Sequence, residues 1–114
     1  MDKELVCLGI DTIIKHIDST TSDLKNISFK DFNGTSLLAR ATAFSIEQIC
    51  EHLTKLKKQF ESNYPDIPWG KAYDMRIIIA HMYLEVDTKI VYNTVKKDLL
   101  PLKEQLLKLK EDLK

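Results

Sequence analysis

Cysteine, glycine and proline are all scarce in this 114-residue chain, with two, three and three copies, and each shortage excludes something. Two cysteines cannot build a disulfide framework. Cys7 and Cys50 each sit among apolar neighbours, the setting of reduced core thiols. Together with His16, His52 and His81 they form no CxxC, no HExxH and no histidine pair one helical turn apart, so neither a metal nor another cofactor is expected. The low glycine and proline content excludes collagen-like and linker-like sequence. Long apolar runs are missing too: none approaches the ~18 residues of a membrane span. The opening Met1-Asp2-Lys3-Glu4 lacks the basic start and apolar stretch of a secretory signal, so a cytoplasmic, soluble protein is expected, with no membrane partner. Charge of one sign is also lacking, because 17 basic side chains face 17 acidic ones. A neutral chain has no broad basic field with which to hold nucleic acid, and no DNA partner is expected. Whatever it binds, local charge must do the work.

What is present is helical patterning. Hydrophobic residues make up 44% of the chain and charged ones 30%, a balance that folds, and the length suits a single domain over residues 1–114. Ile10, Ile13, Ile14 and Ile17 recur at three- and four-residue steps, which predicts a helix from near Asp2 to about Leu24. Asn26 to Thr35 reads as a turn or short helical piece whose Phe29 and Phe32 cap the core. A second helix is expected from Thr35, as N-cap, to about Ser62, with Ile46, Ile49, Leu53, Leu56 and Phe60 on one stripe. Two prolines in Tyr64-Pro65-Asp66-Ile67-Pro68 stop it. The next element, about Gly70 to Tyr83, contains Ile77-Ile78-Ile79. That run suits a strand or a helix, and the lack of a pairing strand favours helix. Asp87 then reads as an N-cap, and Asp98 as the cap of a last helix that tolerates Pro101 in its first turn. Leu99, Leu102, Leu106, Leu109 and Leu113 form its stripe, with Glu104 and Lys108 spaced for an i,i+4 ion pair. The expected architecture is all-α, an antiparallel up-and-down bundle of four to five helices.

Arg76 stands out within Met75-Arg76-Ile77-Ile78-Ile79-Ala80. A guanidinium buried there without a partner would cost several kcal/mol. It therefore pairs with a carboxylate from another helix, for which Glu51 is the nominee, or awaits an anionic ligand. His81 and Tyr83 bracket the other end of the isoleucine run. On one regular helix Arg76 and Tyr83 lie about 20° apart, whereas His81 lies about 140° from Arg76. A shared site needs the reach of arginine, a distorted helix end or a second copy of the chain. Read as structure alone, the three are an ion-paired arginine, a helix-end histidine and a core tyrosine. Trp69, Tyr64 and Tyr73 flank this segment and suit either base stacking or anchoring of the loop. Lys55, Lys57 and Lys58, with Lys96 and Lys97, are the local basic clusters, equally explained as solvated helix faces. His16 and His52 flank apolar stripes and are not expected to be catalytic.

Ile67-Pro68-Trp69, Met75-Arg76, His81-Met82-Tyr83, Val86-Asp87, Ile90-Val91-Tyr92 and Asp98-Leu99-Leu100-Pro101-Leu102, in that order, resemble the HepT family of HEPN-domain toxins. Its hallmark is Arg, four to six residues, His, any residue, Tyr. Ala43 to Leu53, with Ile49 and Glu51, resembles the family's second-helix segment, and the likeness runs from about Leu37 to Leu107. The resemblance implies a HEPN-like bundle and a homodimeric, metal-independent endoribonuclease. In it Arg76 and His81 would act on RNA, tRNA or mRNA, in the dimer cleft, with Glu51 supporting. It also implies a minimal nucleotidyltransferase antitoxin that transfers AMP to Tyr83. Two positions depart from the family pattern: Ile77 stands where a polar residue commonly follows the arginine, and Cys50 where glycine usually precedes the glutamate. The alternative is a catalytically inactive HEPN dimerisation module that docks the nucleotidyltransferase.

Overall fold

A computed structural model describes residues 2–32, 36–80 and 85–114, and of 85 and 86 the backbone only. Five α-helices follow one another: α1 (Lys3–Asp23), α2 (Leu37–Phe60), α3 (Trp69–Ala80), α4 (Glu85–Lys97) and α5 (Leu99–Asp112), with a 3-10 turn, Phe29–Asp31, between the first two. Among the described residues there is no strand. The Ile77-Ile78-Ile79 run is helical, as the absence of a pairing partner required. Among the described residues no helix is long and apolar enough to cross a membrane.

The helices form where the apolar period predicts them, and local chemistry sets their ends. Asp2 caps α1, its carboxylate accepting the Glu4 amide at 2.7 Å. The cap of α2 is Ser36 rather than Thr35: the Ser36 hydroxyl accepts the Ala39 amide at 3.1 Å. Thr35 itself lies outside the described residues. Asp87 is no cap, because it lies within α4. Asp98 precedes α5 but has helical backbone angles, φ −105° and ψ −26°, and its side chain makes no capping bond. Pro101 supplies the break instead. It has no N–H to offer the carbonyl of Lys97, and its ring crowds that carbonyl, so α4 and α5 part there.

Buried stripes close on one apolar core. It takes Val6, Ile10, Ile13 and Ile17 from α1, Ile46, Ile49, Leu53 and Leu56 from α2, and Leu99, Leu102, Leu106 and Leu109 from α5. Helix α1 lies between α2 and α5 and runs antiparallel to both. His16 meets Ser45, and Gly9 faces His52, on the α2 side. On the other side Lys103 reaches Asp18 at 2.7 Å and Lys110 reaches Asp11 at 2.6 Å. These long-range pairs take the place of the expected Glu104–Lys108 contact, which is not formed. Helix α3 packs on α2, and α4 completes the bundle against α3, α5 and α1.

The turn after α1 is held by α4. Phe32 is buried and Phe29 half-buried, as core-capping aromatics, and both lean on the Tyr92 ring at 5.5 and 5.6 Å between centroids. The Tyr92 hydroxyl donates to the Ile27 carbonyl at 2.5 Å. The Lys96 ammonium donates to the Leu24 carbonyl at the C-terminus of α1, where a cation meets the negative end of the helix dipole.

Candidate functional site

Helix α3 carries the candidate site, and its surface differs from that of the other helices. Trp69, Ala72 and Met75 are buried, and Ile78 and Ile79 pack against the core, yet Tyr73 and Ile77 are 70% and 49% exposed. Apolar side chains thus stand on the outward as well as the inward face of the helix, beside the exposed Lys71, Asp74 and Arg76.

That pattern also explains where Arg76 lies. Its apolar neighbours in sequence suggest burial, but the side chain is exposed, because the apolar run covers the outward face of α3 as well as the inward one. The nominated partner is not used. Glu51 is half-buried on α2 and lies 3.8 Å from Lys55, one turn along its own helix. Among the described residues no carboxylate comes within 4 Å of the Arg76 guanidinium. Both alternatives drawn from the sequence supposed a buried guanidinium; the side chain is solvated instead, and the ion pair with Glu51 is not formed.

Arg76 does lie within electrostatic reach of α2. Burial pushes the Cys50 thiol up to about 11, and the positive charge of Arg76 opposes that rise while Glu47 adds to it. Cys50 is therefore an inert thiol, and both cysteines are free. Below it, a cavity of about 290 Å³ opens between α2, α3, α4 and α5, lined by Ile49, Cys50, Met75, Ile78 and Leu102 among others. No pattern in the sequence marks this cavity, since its apolar walls read as ordinary core and Lys71, Asp74 and Asp98 at its edge as ordinary surface.

The flanking aromatics separate cleanly. Trp69 is a loop anchor, 5% exposed, with its indole N–H donating to the Tyr64 carbonyl at 2.9 Å. Tyr64 is tied to α5 by its hydroxyl, 2.7 Å from Asp112, and this bond to a carboxylate holds its phenol above the usual range. Tyr73 stands in solvent. Lys96 is committed to the end of α1, which removes it from the basic cluster. His16 shares a 3.2 Å hydrogen bond with Ser45, and His52 lines a groove with Leu5 and Leu8 on the other side of α2 from α3. Among the described residues no three His, Cys, Asp or Glu side chains are grouped to hold a metal. His81 and Tyr83 lie outside the described residues.

A family model described as ribonuclease HepT-like matches residues 10–109. The chain belongs to the HepT-like family.

Relatives of this HepT-like chain agree. A Methanocaldococcus jannaschii protein named "Gamma-glutamylcyclotransferase and putative RNase" is 33% identical over 95% of the chain, which spans 49% of that protein's length. A "Putative RNase" of Caldanaerobacter subterraneus is 30% identical over 85% of the chain and 87% of its own. A "Probable ribonuclease HepT" of Thermococcus cleftensis is 28% identical over 90% of the chain and 93% of its own. No solved structure matches the chain. The five-helix bundle fits the all-α HEPN-like fold that the motif order implies.

Proposed function

We propose that this HepT-like chain is a metal-independent endoribonuclease, the toxin of a pair whose antitoxin is a minimal nucleotidyltransferase. The observation that carries the reading is Arg76, exposed on α3 and unpaired among the described residues, inside a chain of this family. An arginine so placed offers two parallel N–H donors to a phosphate. His81, five residues on, has the side chain whose ordinary pKa lets it take and return a proton near neutral pH.

The reaction uses the RNA itself as nucleophile. His81 removes the proton of a ribose 2′-OH, and the 2′-oxygen attacks the adjacent phosphorus. The bond from phosphorus to the 5′-oxygen breaks, and that oxygen leaves with a proton. The products are a 2′,3′-cyclic phosphate and a 5′-hydroxyl. Arg76 stabilises the extra negative charge on the phosphoryl oxygens during attack. Two copies of the chain complete the cleft. Glu51, on the neighbouring stretch of α2, supports the site by balancing the basic groups around it. Transfer of AMP to Tyr83 silences the cleft by placing bulk and negative charge where substrate phosphate must enter.

One experiment tests this reading. The purified chain, freed of any partner, is incubated with tRNA and mRNA in EDTA beside Arg76→Ala and His81→Ala. Cleavage by the wild type is expected to survive EDTA and to fall about 10²–10³-fold in each variant. No cleavage by the unmodified wild type leaves the non-catalytic docking module as the function. Intact mass after co-expression with the nucleotidyltransferase should rise by AMP units and stay unchanged in Tyr83→Phe.

A further inference from the structure

A neutral chain needs something besides phosphate contacts to hold RNA. With 17 basic and 17 acidic side chains the chain has no broad basic field, and an arginine fixes a phosphate without holding the base beside it. The remaining general means of holding single-stranded RNA is stacking of bases on aromatic rings.

The structure sorts the aromatics near Arg76 by whether a base can reach them. Trp69 is buried and Tyr64 is tied to Asp112. Tyr92 is wedged between Phe29 and Phe32. Tyr73 is 70% exposed, and among the described residues its ring and hydroxyl have no partner. A ring so placed offers an open π-face to a base.

Its position matches the chemistry. Tyr73 lies one turn before Arg76, three residues away, so the two side chains leave α3 about 60° apart with Cβ atoms roughly 5–6 Å from each other. That separation is comparable to the step between a phosphate and the base of the adjoining nucleotide. Asp74, exposed on the far side of Tyr73 from Arg76, repels phosphate there and so favours one placement: phosphate toward Arg76, base over Tyr73.

We propose that Tyr73 is a stacking platform for the base next to the phosphate held by Arg76, making the preferred substrate single-stranded. The inference rests on the ribonuclease reading and adds a positioning residue to it.

The test measures binding apart from cleavage. The His81→Ala chain is titrated into a fluorescein-labelled single-stranded oligoribonucleotide and into the same strand with abasic nucleotides. Adding Tyr73→Ala should weaken binding to the ordinary strand about tenfold, while Tyr73→Phe, which keeps the ring, binds like its parent. On the abasic strand Tyr73→Ala should make no difference. In the active background Tyr73→Ala should raise KM with kcat little changed. Unaltered binding by Tyr73→Ala overturns the inference, and so does an equal loss on the abasic strand. A loss that coincides with a drop in mass by light scattering assigns Tyr73 to the contact between copies and also overturns it. If the wild type cleaves RNA while Tyr73→Ala keeps its KM, the inference alone fails. If the parent neither cleaves nor binds RNA, the ribonuclease reading fails as well.

Discussion

His16 is the side chain whose titration is expected to make the fold sensitive to acid. Partial burial beside Phe44 holds its pKa below 6.5, with His52 and Lys15 pushing the same way. The folded state therefore favours neutral imidazole. Above pH 6.5 both states are neutral and the site is indifferent. As pH falls through 6.5 the unfolded chain takes up the proton first, and stability is lost until the depressed folded value is passed. Wild type is expected to lose more of its urea midpoint than His16→Gln between about pH 7.5 and about pH 5. Parallel losses in the two proteins would contradict this. Arg76 teaches the other residue-scale lesson. Its burial could not be judged from its neighbours, because an apolar run reads alike whether the helix carrying it is covered on one face or on two.

Among the elements, α4 is a clamp as much as a strut. Lys96 reaches the terminal carbonyls of α1, and Tyr92 holds the turn that follows. Lys96→Met keeps the aliphatic stem and loses the donor, and should cost about 1 kcal/mol in urea unfolding. Lys97→Met, its exposed neighbour, should cost close to nothing. Equal effects would show that charge near α4, not this contact, matters. The clamp was not legible in the sequence, where Lys96 and Lys97 look identical. Helix positions and their buried stripes were legible, since periodicity in Ile10, Ile13 and Ile17 or in Leu99, Leu102 and Leu106 records one-sided burial directly. Helix ends were less so. Asp and Thr at Asp87 and Thr35 have capping chemistry, but whether a cap forms depends on where the backbone leaves the helical angles, and Ser36 holds that position for α2. Glu104 and Lys108 have ideal spacing, yet the lysines of α5 reach across to α1, a choice visible only once the helices are packed. The candidate site divides similarly: motif order pointed to Arg76, and packing alone separates the exposed Tyr73 from the anchored Trp69 and Tyr64.

At the scale of the molecule, the bundle is elongated, 42 × 25 × 20 Å with a radius of gyration of 14.1 Å, against ~13 Å for a rounder domain of this length. A thin bundle has few fully enclosed side chains, so each matters. Leu106, on α5, has no exposed surface, and Leu106→Ala should cost about 3 kcal/mol. Trp69 fluorescence would report this as a lower urea midpoint with an unchanged slope. An unshifted midpoint would mean that α5 is dispensable to the core.

The pairing of Asp11 with Lys110 joins residues 99 positions apart. While the ribosome is still extending the chain, α1 has α2 to lie against but no α5, and one flank of its isoleucine stripe faces water or any other apolar surface nearby. At ordinary elongation speeds of 5–20 residues per second, roughly five to twenty seconds pass before that flank is closed. Until α5 has been made, the fold, and with it the arginine on α3, is not fixed in place.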